Sequence, residues 1–240
     1  MKILFIGDTH ASWKILNQIL HYVEYDVAIQ LGDFGFFPSL KNIESGTYGL
    51  GKIKTQGKPF YWIPGNHEHW DHLENHIIKE NYDKPIHVYG DIYHIPRGAT
   101  FELNGKIFMG FGGAYSIDKL QRTAGISWFP QEQPNYEDQT RLFDYKGKVD
   151  YFLAHTIPDS CLNLMVDLIK IGIPDFTTRI LEEFVKRYKP TYMYCGHWHR
   201  RHSFNVYETQ VEVLSNIDWI DCNRLKTDMY NDDCYKVVEI

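Results

Sequence analysis

Five short apolar stretches of this sequence end in the same way, at polar side chains of the types that bind metal or phosphate. The stretches and the residues after them are Ile3–Ile6 with Asp8 and His10, "DVAIQL" with Asp33, Pro59–Ile63 with Asn66 and His67, Val149–Ala154 with His155, and Thr191–Cys195 with His197 and His199. Short apolar runs bounded by glycine and polar residues are typical of buried strands. Open sheets bind ligands beyond the carboxyl ends of their strands. The sequence therefore predicts an α/β fold with one site built from five strand ends.

Helical and hairpin patterns occupy much of the chain between these stretches. The predicted helices cover residues 12–23, 71–80 and 175–188. An alternating segment with an Asn104–Gly105 turn predicts a β-hairpin. Residues 201–216 and 234–240 are predicted to form an antiparallel meander. No repeat, low-complexity tract or linker divides the chain, so we expect a single domain of residues 1–240.

The side chains at the five strand ends form a mixed set of oxygen and nitrogen ligands without thiolate. Asp8 and His10 are two residues apart, as are His197 and His199, so both members of a pair project to the same side of an extended chain. Such a set suits Mn²⁺, Fe, Zn²⁺, Co²⁺ or Ni²⁺ better than Ca²⁺ or Mg²⁺. The seven ligand-type side chains fit two ions, and Asp33, alone on its strand, is the expected bridge.

In chain order, the strand ends read "GDTH", "LGDFG", "GNHE", "LAHTIP" and "CGHWH". This series, which spans residues 8–199, resembles the metal-binding motifs of the calcineurin-like metallophosphoesterases. The resemblance implies a four-layer αββα sandwich, in which two mixed β-sheets are flanked by helices. It also implies hydrolysis of a phosphodiester or phosphomonoester with two divalent metal ions as cofactors, and we expect Mn²⁺.

The resemblance also assigns roles to the matching residues. The first ion would be held by Asp8, His10, Asp33 and His199, and the second by Asp33, Asn66, His155 and His197. His67 follows a ligand without being one, and it would lie over the phosphate. His67, Asp33 and Asn66 are thus the expected catalytic residues, and Glu68 would orient His67 or its loop.

The sequence restricts the substrate less than it restricts the reaction, hydrolysis of a phosphoester. The formal net charge of −6 and the absence of a basic segment count against binding of nucleic acid, although a DNA or RNA nuclease of the same superfamily is one alternative. The second motif, "GDFGFFP", lacks the arginine that Ser/Thr protein phosphatases of the superfamily carry there. We therefore expect a small phosphoester or nucleotide as substrate. A non-catalytic metal-binding scaffold is the second alternative, and the oligomeric state is left open.

Two long segments are candidates for binding the substrate. Phe34–Lys58 is rich in glycine and directly follows Asp33, and Gly113–Asn135 is similar to a segment of small phage and bacterial members of the superfamily. In the second segment, we expect Arg122 to contact phosphate and Trp128 or Phe129 to stack on a base or aryl ring. The alternative is that both segments are surface loops packed on the edge of the sandwich.

The cysteines and the hydropathy bear on where the protein works. Cys161, Cys195, Cys222 and Cys234 include no C-x-x-C pair, which favours a reducing compartment over a disulfide framework. No stretch approaches the length of about 18 apolar residues that a membrane span requires. The sequence thus predicts a cytoplasmic protein that makes no membrane contact.

Overall fold

The computed structural model describes residues 1–165, 175–217 and 233–240, which include two six-stranded β-sheets. The strands of the first sheet are β1 (Lys2–Ile6), β2 (Val27–Leu31), β3 (Phe60–Ile63), β4 (Ile86–Tyr89), β5 (Ile92–His94) and β12 (Tyr235–Glu239). Their order is β12-β1-β2-β3-β5-β4. Neighbours from β1 to β5 are parallel, while β12 and β4 pair antiparallel at the two edges.

The second sheet has the same mixed character. Its strands are β6 (Thr100–Leu103), β7 (Lys106–Phe111), β8 (Tyr151–Ala154), β9 (Tyr192–Cys195), β10 (His202–Val206) and β11 (Thr209–Val213). Their order is β10-β11-β9-β8-β7-β6, with parallel pairs in the centre and an antiparallel pair at each edge. The carboxyl ends of β8 and β9 can therefore carry a site together.

Helices lie outside the sheets. They are α1 (Trp13–Tyr22), α2 (Leu40–Glu44), α3 (Trp70–His72) with a π-helical continuation over Leu73–Ile78, α4 (Tyr136–Asp144), α5 (Asp159–Leu162) and α6 (Phe176–Tyr188). Asp175 caps α6, because its Oδ1 accepts the backbone N–H of Thr178 at 2.9 Å. Within the described ranges, no helix has both the length and the apolar character needed to cross a membrane.

Three groups of buried apolar side chains produce the layers. Between the sheets, Phe5 of β1 stacks on Tyr194 of β9 with ring centroids 3.9 Å apart. On the outer face of the first sheet, the apolar side of α1 shares a buried cluster with Trp62 of β3. On the outer face of the second sheet, Phe184 of α6 stacks on Phe152 of β8 at 4.0 Å. The predicted αββα sandwich is confirmed.

The C-terminal topology differs from the predicted meander. The hairpin between β6 and β7 is present as predicted, but β11 runs parallel to β9, and β12 joins the first sheet beside β1. The prediction was wrong because the partner of a strand depends on what it buries, and β12 adds Tyr235 to the core under α1. The strands β4 and β5 and the helix α4 are not among the predicted elements. Of the four cysteines, Cys222 lies outside the described residues, and Cys161, Cys195 and Cys234 are buried.

Candidate metal centre

The five predicted strand ends meet at one rim of the sandwich. The first sheet contributes Asp8, His10, Asp33 and Asn66, and the second contributes His155, His197 and His199. One ligand atom from each of Asp8, His10, Asp33 and His199 lies within 4.8 Å of the others; we call these residues the first ligand group. The same holds for Asp33, His155 and His197, which with Asn66 form the second ligand group. The structure thus brings together all seven side chains predicted as ligands, and Asp33 belongs to both groups.

The second ligand group has the arrangement that a cation requires. Nδ1 of His155 lies 2.8 Å from the carbonyl oxygen of Leu31 and donates its proton there, so the lone pair of the neutral ring is on Nε2. That Nε2 atom faces two oxygens, Oδ1 of Asn66 at 3.1 Å and Oδ1 of Asp33 at 3.3 Å. Three electron-pair donors can share one buried point only with a proton or a metal ion between them. The residues present therefore fit a divalent metal ion.

The protonation of the second ligand group agrees with this interpretation. Burial alone would lower the pKa of His155, but the carboxylates of Asp33 and Asp8 outweigh burial and raise the pKa to about 9. Burial would raise the pKa of Asp33, but the neighbouring His155 holds it well below the usual range. Burial and the charge of His155 lower the pKa of His197 to about 3, so this ring is neutral at pH 7. Without metal, His155 carries the proton that a metal ion replaces.

The first ligand group is more open to solvent. Nε2 of His199 lies 3.1 Å from Oδ2 of Asp8 and 3.3 Å from Nε2 of His10. Nε2 of His10 lies 3.9 Å from Oδ2 of Asp33. The two aspartates are buried, whereas His10 is partly exposed and His199 is exposed. Two carboxylates and two imidazoles therefore converge where water and a substrate can reach them.

Four of the seven candidate ligands have a left-handed backbone conformation. The φ angles are 42° at His10, 51° at Asp33, 71° at His197 and 51° at His199. Each such residue costs on the order of 1–3 kcal/mol and persists only where the surroundings hold it. Hydrogen bonds do so here: the carbonyl of Asp33 accepts the N–H of His10 at 2.8 Å, and Oδ1 of Asp8 accepts the N–H of His197 at 2.9 Å.

The glycines of the motifs allow ligands from different strands to approach closely. A Cβ atom added to Gly65 would overlap the backbone nitrogen and Oδ1 of Asp33. One added to Gly196 would overlap Oδ1 of Asp8. Each glycine thus makes space for a carboxylate that another motif supplies, which explains why glycine stands one residue before Asn66 and His197.

Glu68 holds the loop after β2 against the loop after β3. It is fully buried, and its carboxylate accepts backbone N–H groups from Phe34 at 2.6 Å, Gly35 at 3.1 Å and Phe36 at 2.6 Å. A carboxylate that accepts several backbone N–H groups fixes the conformation of the chain that supplies them. Of the two roles expected for Glu68, these contacts correspond to positioning of a loop.

His67 lies beside both ligand groups and belongs to neither. Its backbone N–H donates to Oδ1 of Asp33 at 2.7 Å, and its ring meets the ring of His10 edge to face, with centroids 5.7 Å apart. Burial lowers the pKa of the imidazole, although Asp33 opposes the shift. The ring is therefore a neutral group with one N–H, placed next to the candidate ligands.

A buried network behind Asn66 is absent from the sequence predictions. Nδ2 of Asn66 donates to Oγ of Ser116 at 3.0 Å, and Ser116 in turn donates to the carboxylate of Glu132. This contact points Oδ1 of Asn66 toward His155. No local signature reveals such a role, because Ser116 is 50 residues from Asn66 in the chain.

Arg122 and Trp128, the predicted substrate contacts, each have a partner within the protein. Nη2 of Arg122 pairs with Oε1 of Glu132 at 2.7 Å, and only 8% of the arginine side chain is exposed. Trp128 lies under the ammonium group of Lys119, which is 4.3 Å from the ring centroid. Arg122 thus belongs to the network behind Asn66, and contact of either residue with substrate stays a prediction.

Comparisons with known proteins agree with this architecture. The family model described as calcineurin-like phosphoesterase matches residues 1–201. No curated protein matches the sequence. Among solved structures, phosphopantetheinyl hydrolase (PptH) from Mycobacterium tuberculosis is similar, with a TM-score of 0.54 and 14% identity over 99% of this chain and 95% of that one.

A second solved structure is a more distant match. It is a protein described as a candidate 5′-nucleotidase from Staphylococcus aureus, with a TM-score of 0.48 and 14% identity over 90% of this chain. The match covers 49% of that protein. At 14% identity, the similarity to these structures concerns the fold alone.

The close approach of Gly196 to Asp8 leads to a first prediction. Gly196→Ala should displace the carboxylate of Asp8 and lower the amount of Mn²⁺ retained per chain, measured by elemental analysis after gel filtration. Gly51→Ala is the matched control, because the atom nearest its added Cβ would be the hydroxyl of Tyr89 at 3.4 Å, an ordinary contact. Equal metal retention by the two variants would contradict the proposed crowding at Asp8.

The contact between Ser116 and Asn66 leads to a second prediction. Ser116→Ala should free the amide of Asn66 to rotate and weaken binding of one Mn²⁺ ion by about 10–100-fold, measured by titration calorimetry. Ser116→Thr, which keeps a hydroxyl, should restore part of the affinity. Ser127→Ala serves as control, because it removes an exposed hydrogen bond to the backbone of Thr123. Unchanged affinity in Ser116→Ala would show that Asn66 needs no such support.

Proposed function

We propose that this chain, which belongs to the calcineurin-like phosphoesterase family, is a dinuclear metal-dependent hydrolase of small phosphoesters. The observation that carries the proposal is the pair of ligand groups that share Asp33. One ion would be held by Asp8, His10, Asp33 and His199, and the other by Asp33, Asn66, His155 and His197. We further propose that residues 1–240 act as one domain.

The donor set favours particular metals and a particular substrate charge. Imidazole and carboxylate ligands without thiolate suit Mn²⁺, and Fe, Zn²⁺, Co²⁺ and Ni²⁺ are compatible with them. When bound, such ions supply a water of lowered pKa and offset the charge of the phosphoryl group. Two divalent ions would bring four positive charges, and Asp8 and Asp33 carry two negative charges. The loaded site would therefore have a net charge of about +2 and attract an anion.

One residue of the protein, His67, is placed to assist hydrolysis with a hydrogen bond. Hydrolysis forms a bond between the oxygen of water and phosphorus and breaks the ester P–O bond. The released alkoxide gains a proton to become an alcohol, and the attacking water loses one. The imidazole of His67 is next to the ligands and, when neutral, still carries one N–H. It would donate a hydrogen bond to a phosphoryl oxygen or to the leaving oxygen.

Small phosphoesters are favoured over nucleic acid by charge. The chain has a net charge of −6, and steering of a long polyanion requires a basic surface. A phosphodiester and a phosphomonoester are both compatible with the donor set. We keep the nuclease and the non-catalytic scaffold as alternatives that the following experiment separates.

A substrate panel tests the proposed activity. The Mn²⁺-loaded protein should hydrolyse bis(p-nitrophenyl) phosphate or p-nitrophenyl phosphate, and treatment with EDTA should abolish turnover. The panel also contains cyclic nucleotides, dinucleoside polyphosphates, and single- and double-stranded DNA. Processive cleavage of DNA with little turnover of small esters would favour the nuclease. Two bound ions without turnover of any ester would favour the scaffold.

The position of His67 leads to a separate prediction. His67→Ala should retain two Mn²⁺ ions, because the backbone N–H that donates to Asp33 is unchanged, while kcat should fall by about 10²–10⁴-fold. His69→Ala is the matched control, since this neighbouring ring packs against His72 and Phe129 and should leave kcat near the wild-type value. Loss of an ion from His67→Ala would instead make His67 a ligand.

A further inference from the structure

A cavity of about 410 Å³ opens beside the candidate metal centre. His10 and His67 are among its lining residues, and most of the others lie between Gly35 and Lys52 in the Phe34–Lys58 segment. Its volume is within the range of sites that hold small organic molecules. The second predicted substrate segment, Gly113–Asn135, surrounds a space of only about 20 Å³ near Trp128, which is room for about one water molecule.

The position of the cavity determines which part of a substrate it would hold. His10 is a candidate ligand, and His67 is the residue proposed to contact the phosphoryl group or its leaving oxygen. Under the proposed function, a phosphoryl group bound at the candidate metal centre would lie next to the cavity, within reach of one of its ester substituents. The cavity is thus a candidate site for the organic part of the phosphoester.

The walls of the cavity suit a flat ring. Trp13, Phe37 and Tyr48 all line it. Two of these rings pack against buried rings. Trp13 meets Phe34 edge to face with ring centroids 4.9 Å apart, and the ring centroids of Tyr48 and Phe36 are 6.1 Å apart. Phe37 is 47% exposed, and its ring meets the ring of His69 edge to face with centroids 5.8 Å apart, so part of the phenyl surface is open to a ligand. Aromatic side chains held in this way bind the faces of nucleobases.

The polar groups of the cavity favour a nucleobase over a cationic ligand. The amide of Asn42 offers a donor and an acceptor, as the edge of a nucleobase requires, and the ammonium of Lys52 adds a positive charge. None of the described residues that line the cavity is acidic. A quaternary ammonium substituent is therefore disfavoured, although aromatic walls alone would accept it.

We infer that this cavity binds the nucleoside part of a nucleotide substrate, with the base stacked among Trp13, Phe37 and Tyr48 and its edge facing Asn42. The inference rests on the proposed phosphoester hydrolysis for the position of the phosphate. It assigns substrate selection to the Phe34–Lys58 segment, whereas Arg122 of the other segment is engaged by Glu132.

The experiment compares two anions that share a phosphorylated ribose, one with adenine and the other with a hydroxyl group at C1. Adenosine 5′-monophosphate and ribose 5-phosphate are used as competitive inhibitors of bis(p-nitrophenyl) phosphate hydrolysis in Mn²⁺. The nucleotide should bind about tenfold more tightly in the wild type. Phe37→Ala should bring the ratio of the two inhibition constants close to one. Leu120→Ala is the control, because this side chain is 97% exposed on the Gly113–Asn135 segment and should leave the ratio unchanged.

A second measurement separates the cavity from catalysis. Saturation-transfer NMR with adenosine on EDTA-treated protein should show contact with the base in the wild type and in Leu120→Ala, and a weaker signal in Phe37→Ala. If no ester is hydrolysed but this pattern is seen, the proposed function fails and the base site stands. If the reporter is hydrolysed but both anions inhibit equally, or Phe37→Ala weakens both by the same factor, the base site is overturned and the hydrolase stands.

Discussion

A buried carboxylate, Asp33, is the group on which the rest of the site depends. Its Oδ1 accepts the N–H of His67 and faces Nε2 of His155, and its carbonyl fixes the turn after β1. An unpaired charge at such a position would cost several kcal/mol. A proton on His155 balances that charge when no metal is bound, and the proposed cations would balance it otherwise. Folding of this rim is therefore linked to proton and metal binding through one side chain.

The site also depends on closure of the sandwich, because each ligand group draws on both sheets. Asp8 and His197 follow β1 and β9, which face each other through the stacked rings of Phe5 and Tyr194, each three residues before its ligand. The stack, with ring centroids 3.9 Å apart, holds the two strands together just before the point where Oδ1 of Asp8 accepts the backbone N–H of His197 at 2.9 Å. Apolar burial between the sheets thus offsets the cost of the left-handed backbone and gathered charges at the rim.

The strand ends could be predicted because their signals are local. An apolar run, a glycine and a ligand-type residue stand within a few positions of one another, and the order of five such sets restricts the fold. The pairing of β12 with β1 could not be predicted, since it joins the two ends of the chain. The support of Asn66 by Ser116 and Glu132 is equally non-local, and a single serine has no signature. The cavity depends on how a glycine-rich loop folds over Trp13, which hydrophobic periodicity does not report.

The two candidate substrate segments differ in the direction in which their polar groups face, and under the proposed function this difference would separate residues that support the chemistry from residues that select the substrate. In Gly113–Asn135, Arg122 is turned inward and pairs with Glu132, so a change there would disturb a candidate ligand. In Phe34–Lys58, only the first residues are tied to the metal rim, through the carboxylate of Glu68. Beyond Phe36, the segment carries no candidate ligand: Phe37, Asn42 and Tyr48 line the cavity, while Leu50 and Ile53 anchor the segment in the core under α1. If the cavity binds the substrate as inferred, substitutions at Phe37, Asn42 and Tyr48 would change what it accepts while the candidate ligands keep their geometry, which is the usual division between a rigid scaffold and its loops.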